Sequence, residues 1–258
     1  PACSRSIRRR QVDGRRIPLA LLRNADAASN KFLKADAKGG KQTTVADDAL
    51  HDFRVAVRRF RSWTRAFRAP LHGSLSGKQR RALRKIFRDT GAARDTGVHL
   101  AWMRDQRKEL NARQRVGHDW LSAHLKVEKD AGWIAALSAA QRFDALSPRL
   151  ARRLNEYCSV VDEEQFVPVG VVIARRLLEQ ADDLQATLAA IDNERDEVPI
   201  HRARIAAKRL RYLAEQAAPL VNGGDTLVGA LEQLQDTLGD LHDVHVFAAR
   251  ITHDSGAP

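Results

Sequence analysis

The chain has 258 residues, enough to bury a core in one large domain or two smaller lobes. Apolar residues make up 43%, which excludes a disordered, charge-dominated chain. Lys and Arg number 44 against 32 Asp and Glu, a net charge of +12 that favours acidic partners: nucleic acid, anionic membrane or phosphate polymers.

Two cysteines, Cys3 and Cys158, lie far apart and in no motif, so there is no disulfide framework and a reducing compartment is expected. The N-terminus carries charge without an apolar h-region, so no signal peptide is expected, and the chain begins at Pro1 rather than Met. The most apolar stretch, Val167 to Ala174, is too short to span a bilayer. A cytoplasmic protein is the simplest expectation.

In chain order, residues 1–16 are polar and Arg-rich and are predicted to be a mobile basic arm. From residue 17 the apolar pattern turns helical and stays so to residue 253. Hairpin-bounded strand patterns are absent. Breaks are expected at Gly39-Gly40, Pro70 to Gly77, Pro148, Val161 to Pro168, Glu197 to Pro199 and Pro219 to Gly224. The segments between them have ordinary helix lengths of about ten to twenty-five residues. The prediction is an all-α protein of roughly eight to ten helices packed as bundles.

The strongest signal is an internal repeat. His51-x-x-Arg54-x-x-x-Arg58-Arg59-x-Arg61 returns as His201-x-x-Arg204-x-x-x-Lys208-Arg209-x-Arg211, at an offset of 150. Downstream, Leu83, Gly91, Arg94 and Asp95 return as Leu231, Gly239, His242 and Asp243, at an offset of 148. Each copy reads as a His-Arg helix, a Pro/Gly-rich turn, an apolar helix, then a glycine opening a further helix. Two pseudo-symmetric lobes follow, over about 17–115 and 168–253, with connecting helices over about 116–156.

At about 100° per residue, His51, Arg54, Arg58, Arg61, Arg65 and Arg68 form one basic stripe. Phe53, Val57, Phe60, Thr64 and Phe67 form the neighbouring stripe and are expected in the core. Arg59 falls away from the basic line and is expected to be solvated. In the second copy His201, Arg204, Lys208 and Arg211 line up, flanked by Ala203, Ala207, Leu210 and Ala214. Like charges at these spacings repel. A polyanion lying along the stripe reverses that cost, and arginine suits it because its planar fork binds two phosphate oxygens at once. A third basic line, Lys78, Arg81, Lys85 and Arg88, has no charged counterpart in Thr226 to Asp236, so stronger binding is expected in the first lobe. A basic helix face is most often plain solvated surface. The return of His and three cations at one phase argues for a site here.

These residues resemble the CHAD family, the conserved histidine α-helical domain. The resemblance rests on both His-Arg motifs and on Leu234-Gln235-x-x-Leu238-Gly239-Asp240-Leu241-His242-Asp243, and it covers roughly residues 18–253. It implies two pseudo-symmetric helical bundles around a central basic cleft that holds inorganic polyphosphate, and association with polyphosphate granules. The binding residues it implies are His51, Arg54, Arg58, Arg61, His201, Arg204, Lys208 and Arg211, with Arg94 and His242 as looser matches. Arg65, Lys78, Arg81, Lys85 and Arg88 join them from the stripe geometry alone. Phe60 stands where Leu is more usual, and Lys208 replaces Arg.

Other chemistry finds less in the chain. His51-Asp52 and His242-Asp243 resemble dipeptides of metal phosphohydrolases, but adjacent helical residues do not converge on one ion, so no metal and no cofactor is expected. His242 and His245 read as two unrelated surface histidines. Asp95 and Asp243 read equally as carboxylates favoured by a helix N-terminus or as braces for a motif arginine. No serine or cysteine sits in a nucleophile context and no Gly-rich phosphate loop is present, so the chain is expected not to be an enzyme. Trp63, Trp102, Trp120 and Trp133 read as core or boundary residues. The basic line carries no interleaved aromatics for stacking bases, which places nucleic acid second to polyphosphate.

Overall fold

The structure is a computed structural model that describes residues 2–39, 44–67, 75–160, 169–218 and 223–255. The described residues form eight α-helices and one 3₁₀ turn, with no strand: α1 (Ala2–Gly39), α2 (Thr44–Ala66), α3 (Gly77–Asp89), α4 (Gly91–Gln106), the turn Arg107–Glu109, α5 (Ala112–Val160), α6 (Val169–Ala189), α7 (Glu197–Ala217) and α8 (Gly224–Ser255). No described helix is long and apolar enough to cross a membrane. The chain divides into a first unit, Pro18–Val161, and a second unit, Pro1–Ile17 with Asp162–Pro258.

Local chemistry accounts for three helix starts. Ser76 opens α3 with a capping box: its hydroxyl accepts from the Gln79 N–H at 3.2 Å and its N–H donates to Gln79 Oε1 at 2.8 Å. Asn111 and Gln114 repeat that exchange at the start of α5, at 3.0 Å each way. Gly223, at φ 73°, makes the left-handed turn that leads into α8.

α1 begins at Ala2, so the backbone of residues 2–16, the expected basic arm, is helical. Two expectations are corrected. Pro148 does not break a helix: α5 runs through it for 49 residues. Proline removes one backbone donor and crowds the preceding turn, a local cost that α5 offsets with continuous packing, since Phe143, Ser147, Leu150 and Leu154 are all buried. Gly239 does not open a new helix either, because α8 continues through it. In the first copy the break falls at Thr90, whose hydroxyl turns back to the Phe87 carbonyl at 2.8 Å. The matching residue is Leu238, buried in the core of the second unit, where a helix continues without a competing side-chain hydrogen bond.

The core of the first unit is aromatic. Phe32 of α1 meets the Trp133 ring edge-on at 5.2 Å and stacks with Phe53 at 6.3 Å, and Phe53 meets Phe143 at 5.5 Å. Trp133 Nε1 donates to Asp36 at 2.7 Å, so the ring is buried with its donor satisfied. α5 lies so close to α4 that a Cβ on Gly132 would come 2.7 Å from the Ala93 nitrogen. That approach sets α4, which carries Arg94 and Asp95. The core of the second unit is built from smaller residues: Ile200, Ala203, Ala207, Leu210 and Ala214 of α7 against Leu184 of α6 and Leu231 and Leu238 of α8.

The predicted apolar stripes hold. Phe53, Val57, Phe60, Thr64 and Phe67 are buried, as are Ala203, Ala207, Leu210 and Ala214. Trp63 and Trp133 are buried too, but Trp102 and Trp120 are 49% and 57% exposed, so the four tryptophans do not share one environment.

Candidate functional site

In the first unit the basic face of α2 meets α3 around one aromatic ring. The guanidinium carbons of Arg54, Arg58 and Arg61 lie 4.8, 5.2 and 4.7 Å from the centre of the Phe87 ring. Each such contact contributes about 0.5–1 kcal/mol at an exposed site and about 2 when desolvated. Burial pushes the Arg61 guanidinium down to about 10, reinforced by the positive charges of Arg84, Arg58 and Arg65. Arg61 remains cationic at neutral pH.

Arg54 plays a different part from the one its sequence position implies. It is 8% exposed, and its Nη1 donates to Thr90 Oγ1 at 2.9 Å and to the Phe87 carbonyl at 3.3 Å. The same nitrogen lies 3.6 Å from where a Gly91 side chain would begin. Burial pushes this guanidinium down to about 10 as well; Asp95 opposes that while Arg58 and Arg94 add to it. Arg54 is thus a buried charge that fixes α2 to the α3–α4 turn, and the surface of the stripe falls to Arg58, Arg61 and Arg65. Arg58 and Arg61 are half-buried and Arg65 is exposed. Arg68 lies outside the described residues. Arg59, expected to be solvated, is half-buried with its Nε enclosed.

His51 sits at the N-terminal end of the stripe. Desolvation and the charge of Arg94, then Arg58 and Arg54, hold its imidazole below the ordinary value, with Asp52 opposing. The third basic line is exposed throughout, but it divides. Lys85 pairs with Asp89 at 2.7 Å, where Arg142 of α5 also binds at 2.6 Å and Arg88 lies 3.9 Å away. Helical phase puts Lys78 beside Lys85, whereas Arg81 and Arg88 flank Arg84. Arg84, one turn before Arg88, is the cation of α3 that acts on Arg61, and the sequence reading missed it. The available signal was its position three residues before Phe87.

In the second unit, α7 and α8 repeat the outline and change its content. Arg204 lies 3.7 Å from where a Gly239 side chain would begin, with its Nη2 at 3.6 Å from Asp243. The two motif arginines therefore each pack on a glycine and face the carboxylate four residues beyond it, which favours the brace role for Asp95 and Asp243. The hydroxyl supplied by Thr90 is missing at Leu238, and Arg204 Nε is buried without a hydrogen-bond partner. His201 and His242 bring their rings to 4.6 Å. His242 therefore belongs with His201 rather than being an isolated surface histidine. Desolvation, then Arg204 and His201, hold it below its ordinary value; Asp243 opposes and Lys208 adds to the effect.

The far end of the α7 stripe is neutralised. Arg211 Nε donates to Gln235 at 3.0 Å, and its Nη1 lies 2.8 Å from Glu232 and 3.2 Å from Glu215. Burial opposes its charge, but Glu215, Tyr212 and Glu232 outweigh that and hold the guanidinium above its ordinary value.

An all-helical chain with twin His-Arg helices, each docking a motif arginine on a glycine, defines a particular class of helical domain. The CHAD domain family model matches residues 25–252, and the chain belongs to that family. Among solved structures it is similar to the CHAD domain from the plant Ricinus communis, with 23% sequence identity and a TM-score of 0.75, over 94% of this chain and 78% of that one. That likeness concerns the fold. No curated protein matches the sequence.

Proposed function

We propose that this protein binds inorganic polyphosphate along the basic faces of α2 and α7, and that it thereby associates with polyphosphate granules in the cytoplasm. The observation that carries the reading is the Arg58–Arg61–Arg65 surface. It gathers cations around Arg61, with Arg84 added from α3, and the charges acting there are all positive. Like charges so arranged are unfavourable in isolation. They become favourable when a chain of phosphates lies along them, because each guanidinium can donate two hydrogen bonds to phosphoryl oxygens. Membership of the CHAD family supports the same ligand class.

The role is binding rather than catalysis. His51 and His242 are held below their ordinary values among cations, so they are neutral at pH 7 and gain charge when phosphate arrives. They serve as adjustable members of an anion site. The test is a competition titration. Labelled long-chain polyphosphate is displaced by unlabelled polyphosphate, single-stranded RNA or duplex DNA, and the recovered polymer is sized afterwards. Preferential displacement by polyphosphate, with the polymer intact, is the expected result. Equal displacement by nucleic acid at matched phosphate would make the site a general polyanion surface. Shortened polymer would make the protein an enzyme.

A further inference from the structure

We infer that Phe87 is a positioning residue of the polyphosphate site, an inference that rests on the function proposed above. The ring would hold Arg61 charged and in place without occupying its donors. Phe87 touches three guanidinium groups from successive turns of α2, at 4.7 to 5.2 Å. It is half-buried, at the seam where α3 lies against α2.

Closely spaced guanidinium groups need something to offset their repulsion. A carboxylate does this strongly, but it accepts the same N–H donors that a phosphate needs and it repels the incoming anion. An aromatic face attracts cations through its quadrupole and accepts no strong hydrogen bond, so the planar edge of the Arg61 guanidinium stays available.

The repeat supplies an internal control. Gln235 stands in the place of Phe87, Glu232 in that of Arg84 and Glu215 in that of Arg65, by the offsets of 148 and 150. There the donors of Arg211 are taken up by Gln235, Glu232 and Glu215. Arg211 also lies over a ring, that of Tyr212 at 5.0 Å, so the copies differ in their acceptors: Arg61 has a ring without acceptor side chains, whereas Arg211 has a ring and is closed by acceptors as well. Phe87 therefore helps set the affinity of the first copy, although phosphate need not touch it.

The experiment measures affinity for long-chain sodium polyphosphate in the full chain carrying Phe87→Leu, Phe87→Trp, or phenylalanines of increasing fluorination at position 87. The fluorinated series keeps the ring and its packing while draining the negative face. Arginine Nε–H resonances are recorded alongside. The expected result is a loss of about tenfold with Phe87→Leu and near-normal affinity with Phe87→Trp. Affinity should fall stepwise with fluorination, and ring-current shifts of the α2 arginine resonances should disappear in Phe87→Leu. If Phe87→Leu does not fold, the fluorinated series decides alone. Unchanged affinity across that series would overturn the inference, as would equal losses with Leu and Trp. If the unmodified chain fails to bind polyphosphate, the proposed function itself fails. The ring-current shifts then show separately whether Phe87 organises the arginines.

Discussion

Arg61 and Arg211 hold the same place in the repeat and sit in opposite surroundings. Arg61 lies over an aromatic ring among cations and is pushed down to about 10. Arg211 also lies over a ring, that of Tyr212, but it sits between two carboxylates and an amide and is held above its ordinary value. The comparison separates two uses of one motif. Both copies keep the features that dock helix on helix: a motif arginine on a glycine, a facing aspartate and a histidine nearby. Among the described residues, only the first copy leaves the arginine at this place, Arg61, without an acceptor side chain on its guanidinium. Charge on a helix face is therefore a poor guide to binding until its partners are counted, since an arginine already paired has less to offer an anion.

The largest effect should come from charge reversal. Arg58→Glu combined with Arg61→Glu should weaken polyphosphate binding by at least about a hundredfold, at about 1.5–3 kcal/mol for each lost charged hydrogen-bonding group. Arg211→Glu should cost less than about threefold in affinity and should instead lower the melting temperature, because it places three carboxylates together. Calorimetric titration of both variants checks the contrast. The reverse experiment removes the closure: Glu215→Gln with Glu232→Gln should free Arg211 and raise affinity by about three- to tenfold. An unchanged affinity would mean that the second copy does not take part.

Acidity should sharpen the picture. The pKa of His51 and of His242 is lowered in the folded, unliganded protein. Their contribution to stability is therefore fully present above about pH 6.5, the ordinary histidine value, and is lost as pH falls through the lowered folded values. Bound polyphosphate favours the imidazolium instead. Affinity should thus rise by a few-fold as pH falls from 7.5 towards 5.5, with proton uptake on binding measurable in buffers of different ionisation enthalpy. His51→Gln with His242→Gln should flatten that dependence.

A smaller effect addresses the break between α3 and α4. Thr90→Val removes the hydroxyl that accepts from Arg54 and brings the first copy closer to the second, where Leu238 stands. A loss of about 1–3 kcal/mol in stability is expected by denaturant unfolding, with little change in polyphosphate affinity. If affinity fell instead, Arg54 would contact the polymer despite its burial.

Much of this was legible in the sequence, because the helical period assigns faces. The core stripes of α2 and α7 follow from their own spacing, and the repeat marks the histidines and arginines. What escaped depends on residues distant in sequence. The burial of Arg54 requires Gly91 and Thr90, more than thirty positions on. The continuity of α5 through Pro148 depends on packing along its flanks. The closure of Arg211 was readable in principle, since Glu215 and Glu232 stand where Arg65 and Arg84 stand in the first copy. That comparison gains force only once α8 is seen to present Glu232 to α7.

The most direct test is the salt dependence of polyphosphate affinity in the wild type and in two matched variants, Arg58→Glu/Arg61→Glu and Lys208→Glu/Arg211→Glu. Counterion release makes log K fall linearly with log salt, by about 0.7 per phosphate neutralised on a single-stranded polyanion. A marked flattening of that slope in the first variant, and a slight one in the second, is the expected result. Equal slopes in all three proteins would contradict the assignment of the larger share of polyphosphate binding to the basic face of α2.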